Sequence, residues 1–266
     1  SHRTKQPRPF PCAPLWPDVD EAIRQPWLTR LGRERILDRL ATLRARYLQL
    51  PDPEAILYAT LFEALGYAKN GDPMLALAAR LPLAVVRRQQ TPLDIEALFF
   101  GASGLLPAPV KTRHLPRRNM TYVTQLRKRQ GAIAPDLKAI EDMLAAQPSK
   151  FWQTHYRFES RSSTRRTGII SRTRTQVLIT RALLPFLLLI AEQTADPVLE
   201  RRVFAVYASL PPESDAITRI FDPDKRVART RLQSEGLHAL YQQYCRPARC
   251  LQCAIGNALT GTRPAP

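Results

Sequence analysis

The chain has 266 residues, of which 44% are hydrophobic and 24% charged. That balance excludes a wholly disordered polymer and leaves room for one large core or two small ones. Forty Lys and Arg stand against twenty-three Asp and Glu, a net charge of +17. Such a field attracts polyanions and costs the fold some self-repulsion.

The elements follow in chain order. Residues 1–27 hold Pro7, Pro9, Pro11, Pro14, Pro17 and Pro26, which predicts an extended lead-in. Ile36, Leu37, Leu40, Leu43 and Tyr47 recur at helical spacing and predict a helix over 32–48. Arg33, Arg35, Arg39, Arg44 and Arg46 fill much of the rest of its surface. Pro51 and Pro53 punctuate the chain, and a second helix should run to Leu65 with Gly66 as its C-cap. Asp72-Pro73 opens a helix to about Leu81, and Pro82 starts another or kinks this one. Thr91-Pro92-Leu93-Asp94 reads as a helix start, and that helix ends near Gly101 or Gly104.

Residues 107–131 break the pattern, with a weak helix over 121–130 and another over 135–146. The stretch FWQTHYRFESRSSTRRTGIISRTRTQ has no apolar stripe and predicts loop or a short hairpin. Helices resume at 175–193 and 197–209, then a short one at 215–219 capped by Asp215, then a last one at 229–244. The longest apolar run, Ala182 to Ala191, contains Pro185 and is flanked by Arg181 and Glu192. It is too short to span a bilayer and reads as a buried core helix. The fold class expected is all-α: a multi-helix domain over 28–259 with a small irregular or short-β insertion near 151–175 and a tail at 260–266. Residues 107–175 form its basic insertion.

The positive charge is concentrated. Between Lys111 and Arg181 sixteen basic residues face four acids, an excess of +12 out of +17. Within it Trp152, His155 and Tyr156 adjoin Arg157, Arg161, Arg165, Arg166, Arg172 and Arg174, with Arg117 and Arg118 further upstream. Aromatic faces stack on unpaired bases, and guanidinium and hydroxyl groups bind phosphate oxygens. The partner expected is a nucleic acid, single-stranded or structured, because no recognition-helix motif is evident. The alternative is a solvated loop, or a docking surface for a larger assembly. No basic amphipathic helix with a Trp/Phe/Leu face is evident, which disfavours a membrane.

Four cysteines remain. Cys245, Cys250 and Cys253 form C-x4-C-x2-C, and Cys12 lies at the other end of the chain. Four thiolates complete a tetrahedral zinc site or hold an iron–sulfur cluster. A single C-x2-C pair favours iron–sulfur slightly, and both remain open. Arg246 and Arg249 would help hold thiolates in their charged form. Disulfides fit poorly with a chain lacking an evident secretory signal, so a cytoplasmic setting is expected. Free or buried thiols are the plain alternative. No P-loop, dinucleotide fingerprint or zincin motif occurs. The nearest thing to a catalytic pair is His155 with Glu159, which would suit a nuclease.

Several stretches together resemble a large bacterial family of uncharacterised proteins: LFEALGYAKN, ALAARLPL, IEALFFGASGLLP, FWQTHYRF, LPPESDAITRIF and LHALYQQYCRPARCLQCAIGNAL. The resemblance implies that this chain is the family's helical C-terminal part, ending in the cysteine motif. Longer members resembled carry a β-rich N-terminal half with acidic, nuclease-like motifs. Any catalysis would then reside in that half, or in a partner supplying it.

Overall fold

A computed structural model describes residues 10, 12–103, 153–157, 160–161 and 171–261. It is all-α, with one short β-ladder. The chain divides into two compact units, Ser1–Thr42 with Ala195–Pro266, and Leu43–Thr194. The helical domain read over 28–259 therefore includes residues of both.

In the first unit the Pro-rich lead is not extended where it is described. Ala13–Asp18 form a 3-10 helix that buries Trp16, and α1 already begins at Glu21 and runs to Gln49 through Pro26. Asp20 starts it, accepting from the Ala22 N–H at 2.8 Å. The apolar spacing that marks 32–48 does not reveal this start, because Trp16, Val19 and Leu28 bury their faces against distant partners. The unit's other helices are α6 (Pro197–Ser209), α7 (Thr218–Phe221), α8 (Arg231–Leu240) and α9 (Ala254–Thr260). The start of α6 follows from its first residues: Asp196 accepts from the N–H groups of Val198 and Leu199, and Pro197 follows it. α1 and α8 touch at two glycines. A Cβ on Gly32 would collide with the Leu232 carbonyl, and one on Gly236 with the Leu28 carbonyl.

In the second unit, α2 is one helix, Pro53–Arg80, where the sequence suggested two. Gly66 does not end it and Pro73 lies inside it. α3 (Leu83–Arg87) follows Pro82, and α4 spans Pro92–Ser103. Thr91 and Asp94 cap α4 reciprocally, Asp94 N–H donating to the Thr91 hydroxyl and Thr91 N–H to the Asp94 carboxylate. α5 is the apolar helix, Arg172–Gln193. It is long and apolar enough to cross a membrane by composition, yet 78% of its apolar window is buried inside the fold. Within it Ile179–Leu183 form a wider turn in which the Leu184 N–H reaches the Ile179 carbonyl. That turn immediately precedes Pro185, whose missing N–H breaks the regular ladder. The tilted rings of Tyr58, Phe62 and Phe99 pack in series through the core at centroid distances of 4.7 and 5.4 Å.

The Tyr58 hydroxyl donates to the Leu81 carbonyl at the end of α2, at 2.7 Å, and burial raises its pKa. Tyr58→Phe leaves that buried carbonyl unpaired and is expected to cost about 1–2 kcal/mol in urea unfolding. A change below about 0.3 kcal/mol would show that the carbonyl finds another donor.

His155–Arg157 pair antiparallel with Ser160–Arg161, with His155 opposite Arg161 and Arg157 opposite Ser160. This ladder lies within the stretch expected to hold irregular or short β structure. The helices expected over 121–130 and 135–146 fall outside the described residues.

Candidate functional site

The four cysteines lie in the first unit. Phe10 packs edge-on to Tyr241 at 5.7 Å and parallel to Phe221 at 6.0 Å. Trp16 packs on Phe221 at 5.0 Å. These contacts carry the lead to the end of α8, so Cys12 and Cys245 pack against one core cluster that also contains Cys253. Beyond Leu240 the helix widens over Tyr241–Cys245, and the Arg246 N–H closes on the Tyr241 carbonyl at 2.8 Å. Cys253 then precedes α9, and the N–H groups of Ile255 and Gly256 reach its sulfur. A Cβ on Gly256 would collide with the Cys250 carbonyl, so glycine permits this close turn.

All four thiols are free and feel one another electrostatically. Burial first, then Cys12, Cys253 and Cys250, push the Cys245 thiol up to about 12. Burial also raises Cys253, although its two N–H donors work against this. Arg246 and Arg249 are both exposed, and neither is among the groups that shift Cys245 or Cys253. As the side chains stand, no group of three or more His, Cys, Asp or Glu among the described residues is close enough to hold a metal ion. The donor set is chemically suited to zinc or iron–sulfur, but its sulfurs are gathered rather than closed.

A second cluster, which no sequence motif marks, is buried in the same unit. Glu235 is 1% exposed. Arg39 grips its carboxylate with two bonds of 3.0 and 2.8 Å, and Arg35 Nε adds a third at 3.0 Å. Arg35 and Arg39 are therefore not plain surface residues of α1. Arg231 pairs with Glu213 at 2.8 Å. His238 Nε2 lies 3.0 Å from Asp215 Oδ2. Burial alone would raise Glu235, yet the charge and hydrogen bonds of Arg39, followed by Arg35 and His238, pull it down to about 2. Burial opposes ionisation of Asp215 too, but His238 and the N–H groups of Thr218 and Ile217 lower it. The helix expected at 215–219 is Thr218–Phe221, with Ile217 rather than Asp215 at its cap position; Asp215 accepts from the N–H groups of Ile217 and Thr218 just ahead of it. One sequence signal existed: Glu235 sits between Leu232 and Ala239 on the apolar face of α8.

The basic stretch is only partly described. The ladder sets the backbones of Arg157 and Arg161 on adjoining strands. Arg172 and Arg174 occupy the first turn of α5, where Ser171 caps the Arg174 N–H and no acid is present. Cations there oppose the helix dipole, which favours anions at that end. The Thr154 hydroxyl lies 3.0 Å from His155 Nδ1. Trp152, Glu159, Arg117, Arg118, Arg165 and Arg166 lie outside the described residues, as do the side chains of Tyr156, Arg157 and Arg161.

Fold and site together define a helical protein of two compact units, with a four-thiol cluster and a strongly basic stretch. The chain belongs to the family described as protein of unknown function (DUF2851), whose model matches residues 2–131 and 125–216. The segment carrying Cys245, Cys250 and Cys253 lies beyond the matched residues. No curated protein and no solved structure matches the chain.

Proposed function

We propose that this protein is a nucleic-acid-binding helical module with a structural metal centre on Cys12, Cys245, Cys250 and Cys253. The observation that carries the binding function is where the charge goes uncompensated. Outside 111–181 the second unit holds six basic residues and seven acids. Three of those arginines are ion-paired: Arg44 with Glu192, Arg46 with Glu63 and Arg87 with Glu54. The excess therefore sits in the stretch that holds the ladder and the start of α5. Arg157, Arg161, Arg165, Arg166, Arg172 and Arg174 bind phosphate, and Trp152, His155 and Tyr156 stack at the edge. Single-stranded or structured nucleic acid is the substrate class.

The metal centre ties the N-terminal lead to the end of α8 and the start of α9. Four thiols free of disulfides suit a reducing, cytoplasmic compartment. On this reading the chain supplies the helical C-terminal part of a longer family architecture, onto which a catalytic half or protein partner docks.

The test is binding to labelled single-stranded RNA, single-stranded DNA and duplex DNA as salt is varied. The double variant Arg165→Glu, Arg166→Glu is expected to abolish binding at physiological salt. Affinity equal to that of the wild type would remove these residues from the site. Weak binding to every probe, vanishing at modest salt, would reduce the charge to a generic field.

A further inference from the structure

The loop 246–252, between the widened end of α8 and Cys253, has a feature that neither the metal centre nor the basic stretch uses. Every residue in it is exposed, and Leu251 is 71% exposed. Arg246 and Arg249 make no ion pair or side-chain hydrogen bond among the described residues, and the loop carries both guanidinium groups into solvent. From Gly236 to Pro266 the chain contains no Asp or Glu at all.

The loop is nonetheless firmly shaped. The Arg249 N–H donates to the Tyr244 carbonyl at 2.7 Å, Ala248 to Cys245 at 3.2 Å, and Gln252 to Arg249 at 3.1 Å. Ala248 sits in the left-handed region at φ 59°. For an alanine that conformation costs roughly 1 kcal/mol and persists where the surroundings over-determine it. A preshaped loop loses little entropy when it grips a partner. Two guanidiniums three residues apart suit successive phosphates of a nucleic-acid backbone. An exposed leucine beside them suits the apolar face of a base or sugar.

We propose that the loop 246–252 is a second nucleic-acid contact, in which Arg246 and Arg249 hold backbone phosphates and Leu251 packs on a base or sugar. This rests on the binding function proposed above. The experiment measures the affinity of the full chain for a labelled single-stranded RNA across a salt series, with Arg246→Ala, Arg249→Ala as the variant. Arg201→Ala, Arg202→Ala is the charge-matched control, because those exposed arginines on α6 lie next to acidic Glu200.

Losing two phosphate contacts should flatten the slope of log affinity against log salt by about 1.4, while the control keeps its slope. Leu251→Ser should weaken binding without changing the slope. A wild type that binds with a steep slope, and a loop variant that keeps it, would overturn the loop contact and leave the binding function standing. A wild type that does not bind would overturn both. Equal loss of slope in variant and control would also overturn the loop as a specific contact. Unchanged melting curves for the variants show that lost binding is not lost folding.

Discussion

Glu235→Ala is expected to lower the unfolding free energy of the protein by about 3–5 kcal/mol. Removing one partner of a buried ionic cluster leaves the others charged and without compensation. Here two guanidiniums, Arg35 and Arg39, lose the carboxylate that both grip. Urea unfolding of the full chain measures the change. Adding Arg39→Met to Glu235→Ala should recover part of the loss, because a packed apolar side chain costs less than an orphaned charge. A single variant within 0.5 kcal/mol of the wild type, the range of an ordinary surface change, would show that the cluster is incidental.

The same cluster predicts an acid limb. The folded Glu235 carboxyl lies at about 2, against an ordinary value of 4.5. A depressed carboxyl stabilises the fold above its ordinary value and loses that contribution as pH falls toward the folded one. Stability should therefore decline between about pH 4.5 and pH 2, and Asp215, also lowered, adds to the same limb. Glu235→Gln should shrink the limb. A limb of unchanged size in that variant would assign it to other carboxylates.

Cys245→Ser and Cys253→Ser are each expected to abolish metal binding, from about one centre per chain to none. Elemental analysis of anaerobically purified protein gives the stoichiometry, and visible absorbance separates an iron–sulfur cluster from zinc. Mercurial titration of the unmodified chain, with a colour reagent for released zinc, needs no variant and so survives any folding defect. Cys12→Ser tests the long-range member of the set. It should lower metal retention and speed tryptic release of the N-terminal lead, because Cys12 and the packing of Phe10 on Tyr241 hold that lead. Negligible metal in the wild type, with melting unchanged by chelator, would leave Cys12, Cys245 and Cys253 as packing residues and Cys250 as an exposed thiol.

Local chemistry made some elements readable. Asp196-Pro197 and the reciprocal pair Thr91 and Asp94 place their helix starts from neighbouring residues alone. Helix interiors that cross a proline were not readable. Pro26 reads locally as part of an extended lead and Pro73 as a helix start, yet α1 and α2 run through them. Of the candidate sites, the three C-terminal cysteines declared themselves by spacing. Cys12 joined them only as the remaining thiol of four, and the aromatic contacts that bring it there cannot be inferred from its neighbours. The Glu235 cluster was invisible for a similar reason. Its partner Arg39 lies 196 residues away, and an arginine on a helix looks the same from sequence whether it faces water or a buried carboxylate.

The glycine contact between α1 and α8 constrains how the protein is made. Its partners come from opposite ends of the chain, as do Gln25 and Val227, 202 residues apart. One unit is thus interrupted in sequence by the whole of the other. On a ribosome the interrupting unit emerges complete while its host still lacks α6 to α9. It can fold first, and the early part of α1 must wait in solution with Leu28, Leu31 and Ile36 uncovered. The host's folding is therefore a ring closure set by chain synthesis. Its hazard is the interval in which half a core exists without the other half.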